Sequence, residues 1–97
     1  MPKKLFEAKV IVPELPRVRF MRTLPAGSKP AFQDVTRDVA SVFIEQLDDG
    51  GDTCALVRLD DKGADVWRTI HPSLHEARLQ GTHEYQLEQK DWAACPQ

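Results

Sequence analysis

Three histidines, His71, His75 and His83, lie within thirteen residues of one another, with Glu76 and Glu84 beside them. Imidazole and carboxylate together hold divalent metals and move protons. The spacing does not develop this into a site. Pro72 falls between His71 and His75, so no shared helical face is defined, and the H-E-x-x-H pattern is absent. The three rings read as members of a polar surface, and neither metal nor cofactor is expected. Cys54 is a nucleophile by residue type, but it sits beside Ala55 and Leu56, the surroundings of a buried, inert thiol. An enzymatic alternative uses His71 or His75 as a general base. It requires a cleft that brings a histidine to a carboxylate or to Cys54.

The remaining polar clusters are less specific. Asp48-Asp49-Gly50-Gly51-Asp52 and Asp60-Asp61 lack the spacing of a calcium loop and read as solvated turns. There is no G-x-S-x-G elbow and no glycine-rich phosphate loop. Cys54 and Cys95 stand 41 positions apart and are expected to be free thiols in a reducing cytoplasm. Charge is unevenly spread. Residues 1–30 hold Lys3, Lys4, Lys9, Arg17, Arg19, Arg22 and Lys29 against Glu7 and Glu14, a net of +5; residues 31–97 carry −7. Neighbouring segments of opposite sign neutralise each other without a partner. With a formal net charge of −2, nucleic acid is not the expected ligand.

The elements that would position these residues follow from periodicity. Residues 5–12 alternate Phe6, Ala8, Val10 and Val12 with charged groups, as a strand does, and 17–24 resume the alternation after Pro13-Glu14-Leu15-Pro16. This predicts an antiparallel hairpin over 5–24. Between Ala31 and Leu47, Phe32, Val35, Val39, Val42, Phe43 and Leu47 recur at steps of three and four, the spacing of an amphipathic helix over 31–47. Asp48 and Asp49 would form the turn out of it, and Gly50-Gly51 would stop it. A second hairpin is predicted over 53–70, turning at Asp60-Asp61-Lys62-Gly63. Ser73-Leu74-His75-Glu76 matches a capping box for a short helix ending near Gly81. The alternative there is a hairpin turn at Gly81-Thr82. Residues 83–89 read as a strand in either case.

With 97 residues, 41% of them hydrophobic and 29% charged, the chain has the profile of a soluble globular domain, read as one domain over 1–97. It contains no apolar run long enough to span a bilayer, and no signal-peptide core follows Met-Pro-Lys-Lys, so a cytoplasmic location without membrane attachment is expected. The expected fold is α+β in two layers: an antiparallel sheet of about five strands, from the hairpins 5–24 and 53–70 plus a C-terminal strand, packed on the 31–47 helix. One helix covers one side of such a sheet. On the side left open, the strand alternation places Met21, Leu56, Trp67 and Thr69, with Arg17, Arg19 and Arg68 supplying rim contacts. These residues are expected to bind another protein, or a second copy in a homodimer. A small-ligand pocket between helix and sheet, lined by Phe32, Phe43, Trp67 and Tyr85, is the non-protein alternative.

Overall fold

The computed structural model describes residues 2–47 and 51–96. The turn expected at Asp48 and Asp49, with the stop at Gly50, lies outside them. Seven strands and one α-helix follow in chain order: β1 (Lys3–Lys9), β2 (Met21–Thr23), β3 (Phe32–Asp34), β4 (Ser41–Gln46), β5 (Cys54–Leu59), β6 (Asp65–His71), α1 (Leu74–Tyr85) and β7 (Ala93–Ala94). Two 3-10 turns, Thr36–Asp38 and Gln89–Asp91, precede β4 and β7. The main sheet is five-stranded and antiparallel in the order β6-β5-β4-β1-β7; β2 and β3 form a separate two-stranded ribbon. The expected class therefore stands: α+β, one main helix on one side of a five-stranded sheet, with a C-terminal strand included.

The helix is not where periodicity placed it. Residues 31–47 form β3, a 3-10 turn and β4, and the main helix is 74–85. A helix over 31–47 would turn Ile44 outward with Ser41 and Glu45, yet Ile44 is fully buried. The segment is rich in β-branched residues (Val35, Thr36, Val39, Val42, Ile44), which are restricted in helices and fit a pleated sheet. In α1, Ser73 is the N-cap, and its hydroxyl accepts the Glu76 N–H at 3.2 Å. Gly81 does not stop the helix. It faces Trp92, whose ring lies 2.9 Å from where a Cβ would stand, so the helix continues through the point of closest approach. Gln86, left-handed at φ 55°, ends the helix, donating its N–H to the Thr82 carbonyl. Residues 83–85 are thus helical rather than strand, and the C-terminal strand is β7.

The hairpin over 5–24 is not formed either. β1 pairs with β4, and the chain after Pro13 leaves the sheet, held by Arg37, whose guanidinium donates to the Pro13 carbonyl at 3.3 Å and to that of Glu14. It returns as β2, paired to β3. The hairpin over 53–70 is formed as expected, as β5 and β6. Cys54 and Cys95 are free, separated by the β4 and β1 positions of the sheet. That is roughly 14 Å across three strand spacings, well beyond disulfide reach.

Candidate functional site

The register sorts the sheet residues into two sides. Phe6, Ala8, Val42, Ile44, Leu56 and Arg58 lie on the side packed by α1, joined by Trp67 and Thr69 from β6. Glu7, Lys9, Phe43, Glu45, Val57, Arg68 and Ile70 lie on the other. α1 packs on β4, β5 and β6 from the first side, whereas Glu7, Lys9, Arg68 and Ile70 on the second are exposed.

The covered side encloses a charged pair. Arg58 is 0% exposed, and its Nε donates to Glu84 Oε1 at 2.9 Å while Nη2 donates to Oε2. Its Nη1 reaches the Leu56 carbonyl at 3.1 Å and the Thr69 hydroxyl at 3.0 Å, and the Phe20 ring lies 4.8 Å from the guanidinium carbon. Gln80 Nε2 donates to Glu84 Oε2 at 2.7 Å. Such a fork satisfies both buried ions, which is the condition for keeping them there. Burial, reinforced by the Glu84 carboxylate, pushes the Tyr85 hydroxyl above the ordinary phenol range. His71 Nε2 lies 2.7 Å from the Thr69 hydroxyl, and burial together with the Arg58 charge holds its imidazole below the usual range.

This arrangement binds its own parts rather than a substrate. Each ion of the pair is saturated by the other together with Leu56, Thr69 and Gln80. His71 stands opposite Cys54 in the β5–β6 register, the neighbourhood that the enzymatic alternative asks for. The Cys54 thiol, however, is buried and donates to the Asp52 carbonyl at 3.5 Å, and burial with the Asp52 charge raises its pKa, so it is held as a thiol. His75 and His83 stand at opposite ends of α1; among the described residues no group of three or more His, Cys, Asp or Glu forms a metal cluster.

The ligand pocket under the helix is not formed from the expected rings. Phe32 lies on the ribbon and is 53% exposed, Phe43 is on the open side, Trp67 stacks on Phe20 at 5.5 Å, and Tyr85 is buried at the C-terminal end of α1.

The seven expected binding residues are distributed over four places. Arg17 donates to the His83 carbonyl at 3.0 Å, beside the helix end. Met21 belongs to the ribbon, and Arg19, just before it, pairs with Asp34 of β3 at 3.0 Å. Leu56, Trp67 and Thr69 lie on the covered side, with Leu56 sealed in the core. Only Arg68 reaches the open side, where it pairs with Glu45 and stands 3.7 Å from Asp65. The assignment of β5 and β6 to helix side and open side is therefore inverted. The physical reason is that β5 is buried on both sides, Cys54 to Arg58 without interruption, so its alternation carries no sign of which side meets the helix.

The open side interleaves apolar and charged residues: the Arg68–Glu45 pair crosses β5 between Ile70, on the edge strand, and Phe43, two strands away. Ile70 is 57% exposed, and Phe43 carries the Lys4 ammonium over its ring at 4.5 Å. A groove of about 600 Å³ runs between β1, β4 and the second 3-10 turn, lined by Lys4, Lys9, Phe43, Leu59 and Lys90. Strand β6 forms one edge of the sheet, with no strand on its outer side among the described residues.

No family model matches this chain, and no curated protein or solved structure is detectably similar to it.

Proposed function

We propose that this is a binding protein that works by non-covalent contact with a polypeptide surface, its partner being a second copy of itself, through the open side of the sheet and the free edge of β6. The observation that supports the reading is the uncovered side. It exposes Ile70 on the edge strand, and it carries both signs of charge, Lys4, Lys9 and Arg68 with Glu7 and Glu45. A two-fold contact brings a patch against itself, so a patch that carries both signs of charge next to exposed apolar surface meets its own complement. The edge of β6 offers unpaired backbone groups next to that patch.

Sedimentation equilibrium of the full chain tests the reading. A concentration-dependent monomer–dimer equilibrium is expected, and Ile70→Asp weakens it at least tenfold without changing the circular dichroism spectrum. A chain that stays monomeric up to about 1 mM, the weak end of specific association, overturns it.

A further inference from the structure

The ribbon of β2 and β3 is exposed at all six of its strand residues, on both faces. Its root is fixed. Phe20 and Val35 are buried, the Phe20 N–H donates to the Thr36 hydroxyl at 2.8 Å, and the Val35 N–H donates to the Phe20 carbonyl at 2.9 Å. The Leu24 N–H donates to the Ala31 carbonyl at 2.9 Å, so pairing continues past the strands toward the tip at Gly27. The paired, extended run from Phe20 to Leu24 spans about 13 Å at about 3.3 Å per residue, with the turn at Pro25–Ser28 beyond it. The molecule is elongated to match, 44 Å in its longest dimension, with a radius of gyration of 14.1 Å against about 12.5 Å for a compact chain of this length.

The arm shows Met21 and Phe32 to solvent, 45% and 53% exposed, and its charge is basic: Arg19, Arg22 and Lys29 against Asp34. A surface of one sign is not its own complement, so the arm requires an acidic counterpart. Such a counterpart lies on the same molecule. The β5–β6 turn carries Asp60 and Asp61 against Lys62, and Asp65, which begins β6, is half exposed and 3.7 Å from Arg68; Arg22 is within electrostatic range of Asp60 in its own chain. A basic arm beside an acidic turn is the layout a two-fold dimer uses, because each arm then meets the turn of the other copy.

We infer that the β2–β3 arm of one copy docks on the acidic turn and β6 edge of a second copy, with Met21 and Phe32 covering apolar surface there and Arg22 and Lys29 facing Asp61 and Asp65. The inference rests on the self-association proposed above and names the segment that completes it. The partner is protein rather than nucleic acid, because the same three aspartates that attract an arm repel a phosphate backbone.

A charge-swap experiment decides it. Arg22→Glu/Lys29→Glu reverses the arm and Asp61→Lys/Asp65→Lys reverses the turn; all four positions are exposed, so circular dichroism is expected to match the parent. Each reversed chain alone is expected to self-associate at least tenfold more weakly than the parent, and parent association is expected to weaken as salt rises. Mixing the two reversed chains is expected to restore a heterodimer. If Ile70→Asp dissociates the parent dimer while both reversed chains dimerise normally, the dimer stands and the arm inference falls. If the parent is monomeric throughout, both fall. If the arm reversal leaves self-association intact but abolishes binding to a short DNA duplex, the arm serves nucleic acid and the inference is overturned.

Discussion

The two sides of the sheet treat charge in opposite ways. Under α1, Arg58 and Glu84 are 0% and 3% exposed and are held by a complete set of donors and acceptors. On the open side, Arg68 and Glu45 form an ion pair with the Arg68 side chain 43% exposed, and Ile70 stands beside them in water. A pair in water is worth little because solvent screens it and competes for it. A pair in the interior has already lost its hydration, so each ion depends on the other. The covered side is consequently the part of the molecule that cannot tolerate the loss of one partner, and the open side is the part free to change partners.

The largest expected effect breaks that contrast at its centre. Glu84→Gln leaves the Arg58 guanidinium buried and uncompensated and is expected to cost about 3–5 kcal/mol in urea unfolding, against near neutrality for the double replacement Arg58→Met/Glu84→Leu. If the single change costs no more than an exposed-pair change, the interior pair is not what organises this side.

Gly81→Val comes next. Its side chain meets the Trp92 ring, which is buried and donates through Nε1 to the Thr82 hydroxyl at 3.3 Å, so the ring has little room to withdraw. A loss of about 2 kcal/mol is expected from the overpacking, with quenched or red-shifted tryptophan emission as Trp92 is displaced. Trp92 immediately precedes β7, so the same change is expected to release β7 from β1, seen as faster amide exchange at Cys95, whose N–H donates to the Leu5 carbonyl at 2.9 Å.

A smaller effect is expected from pH. The folded-state pKa of His71 is depressed, so below about 6.5, the unperturbed imidazole value, the unfolded chain binds a proton that the folded chain resists. Stability contributed by neutral His71 is present above that pH and is lost as pH falls toward the folded pKa. His71→Gln is expected to flatten the slope of unfolding free energy between pH 7 and pH 5; an unchanged slope assigns it elsewhere.

The smallest effect sharpens the comparison from the other side. Ile70→Asp is expected to change monomer stability by no more than about 0.5 kcal/mol. The same substitution is expected to weaken self-association at least tenfold, separating the role of the open side in binding from any role in folding.

The β5–β6 hairpin was readable because its signals are local. Asp60 accepts the Lys62 and Ala64 N–H groups at 2.9 Å, and Gly63 takes φ +82°. The start of α1 was readable for the same reason, since a Ser73 cap acts within one turn. Residues 31–47 misled because six apolar residues at helical steps also fit a 3-10 turn flanked by strands; the outlying Ile44 was the contrary signal. The arm was not visible at all. Nothing in Met21-Arg22-Thr23 or Phe32-Gln33-Asp34 distinguishes a ribbon in solvent from strands in a sheet. Nor did the sequence show that α1 would approach the sheet through Ala77 and Gly81, since its buried seam sets only Tyr85 as a large core side chain beside Ala77, Gly81 and Glu84.

The sequence by itself determined the class of the fold, one hairpin and one helix cap, because those depend on composition and on hydrogen bonds spanning a few residues. The pairing of β1 with β4, the side of β5 that meets the helix, and the burial of Arg58 against Glu84 were decided only by the tertiary structure. Each is a contact between residues far apart in the chain, stabilised only once the layers have closed and water has been removed from between them.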